Sequence, residues 1–560
     1  MAWEGASAGI RKNSERCYTS RNSHVLRDRG IAFVSTFFLA GLVLSQTLAA
    51  QGPGRAPLGD DSRTNRPSGP LLDPPNGDDD SAASLRAYHE RLAAQYGGDR
   101  EVPLDVKAAY FGWELRRYHI TPYHQFYNRA VLAEKPGERP QAFSSRDSST
   151  WNGALLAAVS LEYATTGDRR LLGVVAELVR GLHLFFEVTG QPGLMSRAVA
   201  PADGLVLDEL KANVYTAPDG TRYYHQDDAA KGGFNQIACG YAALMIHVYP
   251  DLPFEIQQLA RADIAAMVLH IIDHGYRATA RDGRPTTYGD LRPLIGSMSV
   301  PFNAQVAYLI VALGYSFPPD DPASSERIRA EFVRLRGTHH VYYEHRLGAL
   351  VLPQKIGGSP LVKGMNDRFH VTTAAYWALQ LEFDHARRHG EAPNGKFVYQ
   401  LGQTLYWSMD YLHDQHNALL SFLWAGLVND PAVFDTIVDS HPNTVRGQIE
   451  QALVEGVEQL RRYRLDRWVR SGRVIETNRA QWCDMQAPDD NYWKCDPRLI
   501  FEPTGQATNA YYAGLDYLYS YWSLRYYRLD KHPTLVKLNS PVLARTPGLA
   551  YHDTISTRPQ

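Results

Sequence analysis

Apolar residues recur along most of the chain at the spacing of buried or amphipathic helices. Six of these apolar runs begin with an asparagine and are apolar around most of their circumference, as expected for helices buried on two sides. Because asparagine accepts hydrogen bonds from the free N–H groups of a first turn, each one predicts a helix start. The six residues are Asn152, Asn235, Asn303, Asn366, Asn417 and Asn509.

A second, amphipathic helix follows most of these runs after a short breaker rich in Pro, Gly or Asp. The segment LLGVVAELVRGLHLFFEV, for example, follows the breaker TTGD at 165–168 and carries its charged residues on one face. An apolar helix paired with an amphipathic one suggests an inner and an outer ring. The pattern therefore predicts an all-α fold, a closed ring of six helical hairpins.

The connections between these predicted helices are asymmetric. Links from an inner to an outer helix are short, whereas links back to the next inner helix are long: 190–234, 277–302, 335–365 and 465–508. Long connections without regular structure are uncommon unless they are functional. All of them precede inner helices, so the functional site is expected at the rim where the inner helices begin.

The two ends of the chain predict segments outside the ring. Residues 1–50 resemble a secretory signal, with an apolar stretch at 31–50 and cleavage after Ala49 or Ala50; an uncleaved membrane anchor is the alternative. Residues 51–82, rich in Pro, Gly and Asp, predict a disordered linker. The ring is expected over 83–535, followed by a tail at 536–560. A secreted or periplasmic protein is expected, or a membrane-anchored one.

Charge and cysteine content narrow the classes of protein further. With 58 Lys plus Arg against 60 Asp plus Glu, the chain lacks the basic excess typical of nucleic-acid binding. Cys239 lies in an apolar run and is expected to be a buried thiol. Cys483 and Cys495 are candidates for a disulfide in an oxidising compartment, and free thiols are the alternative.

Three segments carry a resemblance to a known superfamily: DSSTWNGALLAAVSLEYATTGD, the helix that begins MND, and GLDYLYSYWSLRYY. Together with the hairpin pattern over about residues 100–530, they resemble the six-hairpin glycosidase-like proteins. That resemblance implies an (α/α)6 toroid and raises the expectation of carbohydrate chemistry. It matches no catalytic signature of one glycosidase family, and the toroid also hosts lyases, epimerases and cyclases.

Four acidic residues before or at the start of inner helices are the candidate catalytic groups: Asp147, Asp227, Asp228 and Asp367. Adjacent carboxylates disfavour simultaneous ionisation, so one of Asp227 and Asp228 is a candidate acid. The alternatives are structural. Asp147 is also a good helix cap, Asp367 suits the positive end of a helix, and Lys231 is placed to pair with Asp227.

Polar and aromatic residues in the same segments are candidates for substrate binding. Trp151 and Trp493 suit stacking on a sugar ring, with packing as the alternative, and Arg292 is equally placed for a structural ion pair with Asp290. The remaining candidates are Asn152, Tyr224, His225, Lys231, Asn235, Asn303 and Asn366.

No metal or cofactor is expected. His339, His340, Glu344 and His345 lie close together, but their spacing fits no familiar ligand pattern. The sequence also lacks a nucleotide-binding loop, a G-x-S-x-G motif and an H-E-x-x-H motif.

These residues favour an exported enzyme that acts on a glycan. A glycoside hydrolase would use two of the carboxylates as acid and as base or nucleophile. The first alternative is a polysaccharide lyase or epimerase of uronate glycans, with His225 or Tyr224 as base and Arg292 neutralising the uronate. The second is a glycan-binding protein of the cell envelope without catalysis. Helix N-termini gathered at one rim would favour an anionic substrate.

Overall fold

The computed structural model describes most of the chain beyond residue 80, within one compact unit, Ala50–Gln560. The predicted signal peptide, nearly all of the predicted linker and most of the predicted tail lie outside the described residues. The described residues are 81–121, 123–134, 141–143, 147–202, 213–292, 294–295, 298–299, 301–337, 364–410, 416–437, 442–477, 482, 499–543 and 546.

Six inner helices alternate along the chain with outer helices. The inner helices are α3 (Ser148–Thr166), α5 (Lys231–His247), α7 (Pro301–Ser316), α9 (Gly364–His389), α11 (Ala418–Val428) and α14 (Leu515–Tyr526). The outer helices are α2 (Leu104–Glu114), α4 (Leu171–Glu187), α6 (Phe254–Asp273), α8 (Pro322–Gly337), α10 (Gly395–Asp410) and α13 (Pro442–Arg462). Three further helices are α1 (Ala82–Tyr96), α12 (Pro431–Ile437) and α15 (Pro533–Lys537).

The inner helices close into a ring. Successive inner helices contact each other in the order α3, α5, α7, α9, α11, α14 and back to α3. Each inner helix also contacts its own outer helix, and α2, from the start of the domain, supplies the outer partner of α14. The described residues therefore form an (α/α)6 toroid, which confirms the predicted fold class. Within them, no helix is long and apolar enough to cross a membrane.

The tightest approach in the ring is between α3 and α5. A Cβ atom at Gly153 would lie 2.3 Å from the carbonyl carbon and oxygen of Gln236, and one at Gly240 would lie 2.5 Å from the carbonyl oxygen of Gly153. Only glycine allows two helix backbones to approach this closely. The close contact between α3 and α5 is therefore possible only because Gly153 and Gly240 carry no side chain.

The long connections contain short antiparallel strands. The 190–234 link carries β3 (Ala198–Pro201), β4 (Asn213–Thr216) and β5 (Arg222–Gln226), paired in the order β3–β5–β4. The 277–302 link carries β6 (Arg277–Thr279), β7 (Pro285–Asp290), β8 (Leu294–Ile295) and β9 (Met298–Ser299). The strands β1 (Arg129–Val131), β2 (Gln141–Phe143), β10 (Trp468–Glu476) and β11 (Leu499–Tyr512) form one sheet in the order β10–β11–β1–β2. Strand pairing provides hydrogen-bond partners for backbone N–H and C=O groups that would lack them in long irregular loops.

The prediction that asparagines cap the inner helices is confirmed only in part. Asn417 is an N-cap, and its side chain accepts a hydrogen bond from the Leu420 N–H at 3.1 Å. Asn509 is a wrong prediction, because it lies in β11 and the last inner helix begins only at Leu515. Its segment has the aromatic content of a strand, and pairing with β1 and β10 decides its conformation.

Candidate functional site

The N-terminal turns of neighbouring inner helices meet at one end of the ring. At the start of α5, Gly233 lies against the Ser149 side chain of α3, which a Cβ at this glycine would approach to 2.6 Å. The Lys231 Nζ donates to Asn303 Oδ1 of α7 at 3.1 Å. These contacts confirm a shared mouth for α3, α5 and α7, and contacts of α9 described below extend it.

Arg197 lies between two of the candidate catalytic carboxylates. Its Nε donates to Asp147 Oδ1 at 2.9 Å, and its Nη1 lies 4.0 Å from Asp228 Oδ2. The side chains of Asp147 and Asp228 are 35% and 31% exposed, whereas that of Arg197 is 17% exposed. Both carboxylates therefore reach solvent, and a largely buried guanidinium holds them together.

Backbone hydrogen bonds around Arg197 explain how residues distant in sequence meet here. The Arg197 N–H donates to the Gln226 carbonyl at the end of β5, and its carbonyl accepts from the Ser149 N–H in the first turn of α3. The Thr287 N–H of β7 donates to Asp228 Oδ1 at 2.7 Å. Two of the long links thus fold over the start of α3.

Asp147 precedes α3 but does not cap it with its side chain. Its carboxylate is directed to Arg197 instead. The alternative in which the Asp147 side chain caps α3 is therefore wrong. The carboxylate lies at the mouth instead.

An exposed aromatic ring adjoins this group. The Arg197 guanidinium carbon lies 5.3 Å from the centre of the Tyr288 ring, and Tyr288 is 55% exposed. A cation over one part of the ring fixes its orientation and leaves the rest open to solvent. Exposed aromatic rings of this kind suit stacking on sugars.

His225 and Asp227 form a second pair beside the first. The His225 Nδ1 lies 2.6 Å from Asp227 Oδ1, and the His225 side chain is 7% exposed against 42% for Asp227. The contact places a carboxylate beside the Nδ1 atom of a largely buried imidazole, although neither atom has a hydrogen-bond partner among the described residues. Asp227 and Asp228 thus contact different side chains.

Below the mouth, polar side chains from α5 and α9 form a buried layer that we call the floor. Asn235 Nδ2 donates to the His370 carbonyl and lies 3.1 Å from His370 Nδ1. Gln236 Nε2 donates to Thr373 Oγ1 at 3.0 Å. Phe302 of α7 stacks on the His370 ring, with centroids 5.2 Å apart. These contacts bring α9 to the same end of the ring as α3, α5 and α7.

An aromatic layer lies one turn further along α9. Trp377 Nε1 donates to the Tyr519 hydroxyl of α14 at 3.0 Å, and both side chains are buried. Desolvation raises the pKa of the Tyr519 hydroxyl well above its usual range. The buried polar layer therefore packs against a layer of buried aromatic side chains.

Five predicted substrate-binding residues are buried: Trp151, Asn152, His225, Asn235 and Asn303. Trp151, Asn152 and Asn235 are held by packing or by internal hydrogen bonds. Trp151 is 4% exposed within the hydrophobic core, which favours the packing alternative. Asn152 is fully buried and bonds both the N–H and the carbonyl of Phe126, so it fixes the segment before β1. Asn235 is fully buried in the floor. Burial and internal hydrogen bonds give these side chains structural roles in this conformation.

Other predicted residues lie near the mouth with polar partners. Arg292 and Asp290 form the ion pair expected as the structural alternative, with Nη2 and Oδ2 2.6 Å apart. Hydrogen bonds from Arg292 lower the pKa of Asp290. Asn303 donates to the Arg292 carbonyl and accepts from Lys231. Tyr224 is half-buried on β5.

Several predictions cannot be compared with the structure. Asn366 and Asp367 lie in the first turn of α9, but their side chains are outside the described residues, as are Trp493, Cys483 and Cys495.

Cys239 is a buried free thiol, as predicted, and burial raises its pKa. Among the described residues, no cluster of His, Cys, Asp and Glu could hold a metal ion.

The sequence analysis missed Arg197, His370 and Gln236. For Arg197 the only available signal was its position in the long 190–234 link. The other two lie inside helical runs, where a polar residue is ordinary unless its neighbours are known.

The fold and the site together define an α/α toroid whose mouth carries paired carboxylates, an arginine, a histidine and an exposed tyrosine. No protein-family model matches the chain, and no curated protein matches it.

Three solved structures resemble it. A sugar epimerase from a ruminal bacterium is 9% identical, with a TM-score of 0.37, covering 75% of this chain and 98% of that one. An unsaturated glucuronyl hydrolase specific for heparin is 11% identical, with a TM-score of 0.35, covering 76% and 96%. The catalytic domain of Clostridium thermocellum CelT is 10% identical, with a TM-score of 0.28, covering 68% and 79%. At these scores the assignment of the fold rests on the helix contacts described above.

Proposed function

We propose that this protein is an exported carbohydrate-active enzyme, and specifically a glycoside hydrolase. The observation that carries the proposal is the placement of Asp147 and Asp228 on one guanidinium, beside the exposed ring of Tyr288. Two solvent-accessible carboxylates and an aromatic platform are the groups that cleavage of a glycosidic bond requires. Export follows from the resemblance of residues 1–50 to a secretory signal.

The spacing of the carboxylates is compatible with this chemistry. Carboxyl pairs of glycosidases lie about 5 to 9.5 Å apart, depending on whether configuration is retained or inverted. Asp147 and Asp228 both lie within 4.0 Å of the Arg197 side chain, so the two carboxyl groups are close enough to act on one glycosidic bond. Asp147, which accepts a hydrogen bond from Arg197, is the candidate base or nucleophile, and one of the adjacent Asp227 and Asp228 is the candidate acid.

A different activity, that of a lyase or epimerase, has its own supporting observation. The His225–Asp227 contact of 2.6 Å places an imidazole beside a carboxylate, a pair that suits proton abstraction next to a uronate carboxylate. Arg197 or Arg292 would then neutralise that carboxylate. A lyase or epimerase of uronate glycans is therefore the alternative.

The experiment is a screen of the purified protein against neutral and acidic polysaccharides, with products read by mass. Hydrolysis adds the mass of water, whereas a lyase releases an unsaturated product that absorbs in the ultraviolet. Asp147→Asn and Asp228→Asn should each lower kcat by about 10²- to 10⁴-fold. Asp320→Asn is the matched control, because Asp320 is 72% exposed in the turn between α7 and α8.

The variants separate the candidate functions. Loss of activity in Asp147→Asn and Asp228→Asn, with Asp320→Asn unaffected, supports hydrolysis that depends on both carboxylates. Loss confined to His225→Gln, with an unsaturated product, supports the lyase. Wild-type turnover in all of these variants would remove these residues from the reaction, whereas glycan binding without turnover by the wild-type protein would remove the enzyme proposal.

A further inference from the structure

A cavity of about 260 Å³ lies between the helices α7, α8 and α9. The turn between α9 and α10 also contributes to its lining. Tyr315, one of the lining residues, is thirteen residues beyond Phe302, which is about 20 Å further along α7. Since Phe302 lies at the mouth end of α7, the cavity is a separate site.

Helical spacing and small side chains explain why the space is open. Tyr308, Ala312 and Tyr315 follow one another at i, i+4 and i+7, so they share one face of α7. Ala378 and Ala386, at i and i+8, share one face of α9. The three alanines are buried, and longer side chains at these positions would fill the cavity.

An ion pair forms part of the cavity wall. Arg336 of α8 donates a hydrogen bond to Glu382 of α9, and the two side chains are 21% and 11% exposed. The Asn394 N–H donates to Glu382 at 3.1 Å, and the Arg336 guanidinium carbon lies 4.4 Å from the centre of the Phe332 ring. Glu391 also belongs to the lining, but it is exposed and its charge is screened by solvent. The two sheltered charges of the wall therefore cancel.

Rings and an imidazole complete the wall. The Tyr315 ring stacks on Phe332, with centroids 4.0 Å apart, and lies 5.2 Å from the centre of the His385 ring. Burial lowers the pKa of His385, and His389 and Arg388 add to this effect. The imidazole is therefore neutral at pH 7, with one nitrogen that donates and one that accepts.

We propose that this cavity binds one neutral sugar ring. A polar cavity of this size otherwise holds several waters, each taking about 30 Å³ in the liquid. Sugar hydroxyls both donate and accept, so they can replace those waters at the carboxylate, guanidinium and imidazole of the wall. A charged ligand would lose hydration and gain no net attraction from a balanced ion pair. The volume lies below the roughly 300–1,000 Å³ of sites for larger organic ligands, which limits the ligand to one ring.

This site does not depend on catalysis at the mouth. If the mouth cleaves glycans as proposed, its smallest neutral products belong to the class of ligand that the cavity accepts.

The test measures equilibrium binding by calorimetry for the methyl glycosides of glucose, galactose and mannose, with methyl glucuronide as the charged counterpart. The wild type and Tyr288→Ala, which lacks the exposed ring at the mouth, should both bind at least one neutral glycoside more tightly than the glucuronide. Ala312→Leu fills the cavity and should weaken that binding by at least about tenfold. Glu382→Gln leaves the charge of Arg336 uncompensated and should shift the preference towards the glucuronide by about tenfold.

Two matched controls lie on the exposed face of α8. Ala330→Leu adds the same atoms at an exposed position, and Glu326→Gln removes a carboxylate that is 60% exposed and pairs with Arg329. Both should leave all affinities unchanged. Urea unfolding checks that Ala312→Leu folds, and Ala378→Leu fills the same space from α9 if it does not.

Three results would overturn the inference while leaving the enzyme proposal intact: no binding of a neutral glycoside, wild-type binding of the glucuronide at least as tight, or unchanged affinities in the cavity variants. Sugar binding that the cavity variants abolish, in a protein without turnover, would support the inference and remove the enzyme proposal.

Discussion

The close approach of α3 and α5 gives a prediction whose magnitude follows from the coordinates. In Gly153→Ala, the new Cβ lies 2.3 Å from the Gln236 carbonyl and 2.5 Å from the Ile237 nitrogen. Carbon atoms pack at about 3.5 Å or more, so the helices must separate by roughly 1 Å. Backbone in the middle of a buried helix cannot rotate aside as a side chain can.

Overpacking of this kind costs about 1–3 kcal/mol and occasionally more. Alanine recovers up to about 1 kcal/mol of helix propensity. The free energy of unfolding should therefore fall by about 2 kcal/mol, measured as a lower urea midpoint with an unchanged slope.

Gly173→Ala is the matched control. Gly173 is an exposed residue of α4, and a Cβ there would have nothing within 4 Å. This substitution should raise the free energy of unfolding by about 0.5–1 kcal/mol through helix propensity alone. Equal stabilities for Gly153→Ala and Gly173→Ala would refute the claim that close backbone contact fixes α3 against α5.

Three further predictions concern single side chains. Burial raises the pKa of Glu162 from 4.5 to about 7, although Arg116 opposes the shift. The protonated carboxyl therefore stabilises the folded state fully below about pH 4.5, and this contribution is lost as pH rises through about 7. Relative to Glu162→Gln, the wild type should lose roughly 3 kcal/mol of unfolding free energy between pH 4 and 8; an equal pH dependence of the two proteins in urea unfolding would contradict this. Arg197→Lys keeps the charge but loses the planar contact with Asp147, so kcat should fall while stability changes by less than about 1 kcal/mol; unchanged kinetics would exclude a role for the guanidinium. Tyr288→Ala should raise KM more than it lowers kcat, with unchanged stability, if the exposed ring is a sugar platform.

The hairpin pattern was predictable because it is local. Breakers such as TTGD and YPDLP end the inner helices, and the amphipathic outer helices carry a period of about 3.6 residues. Asp147 and Asp228 could be named as candidates because they precede apolar helices, which places them at one rim of any such ring.

The partners of those residues were not predictable. Arg197 contacts Asp147 across 50 residues of sequence, and Gln236 contacts His370 across 134. Asn152 and Asn235 looked like caps, yet they lie inside their helices and bond neighbouring segments. A capping preference describes one turn of chain and carries no information about which distant element packs there.

Asn509 shows the same limit for secondary structure. Its segment leads into an apolar helix, which predicts a helix start, but strands β1 and β10 pair with it and draw it into β11. Sequence alone determined which stretches become inner and outer helices, because burial periodicity and turn chemistry act over a few residues. Only the tertiary structure decided which side chains share the mouth and the floor, because those contacts depend on closing the ring.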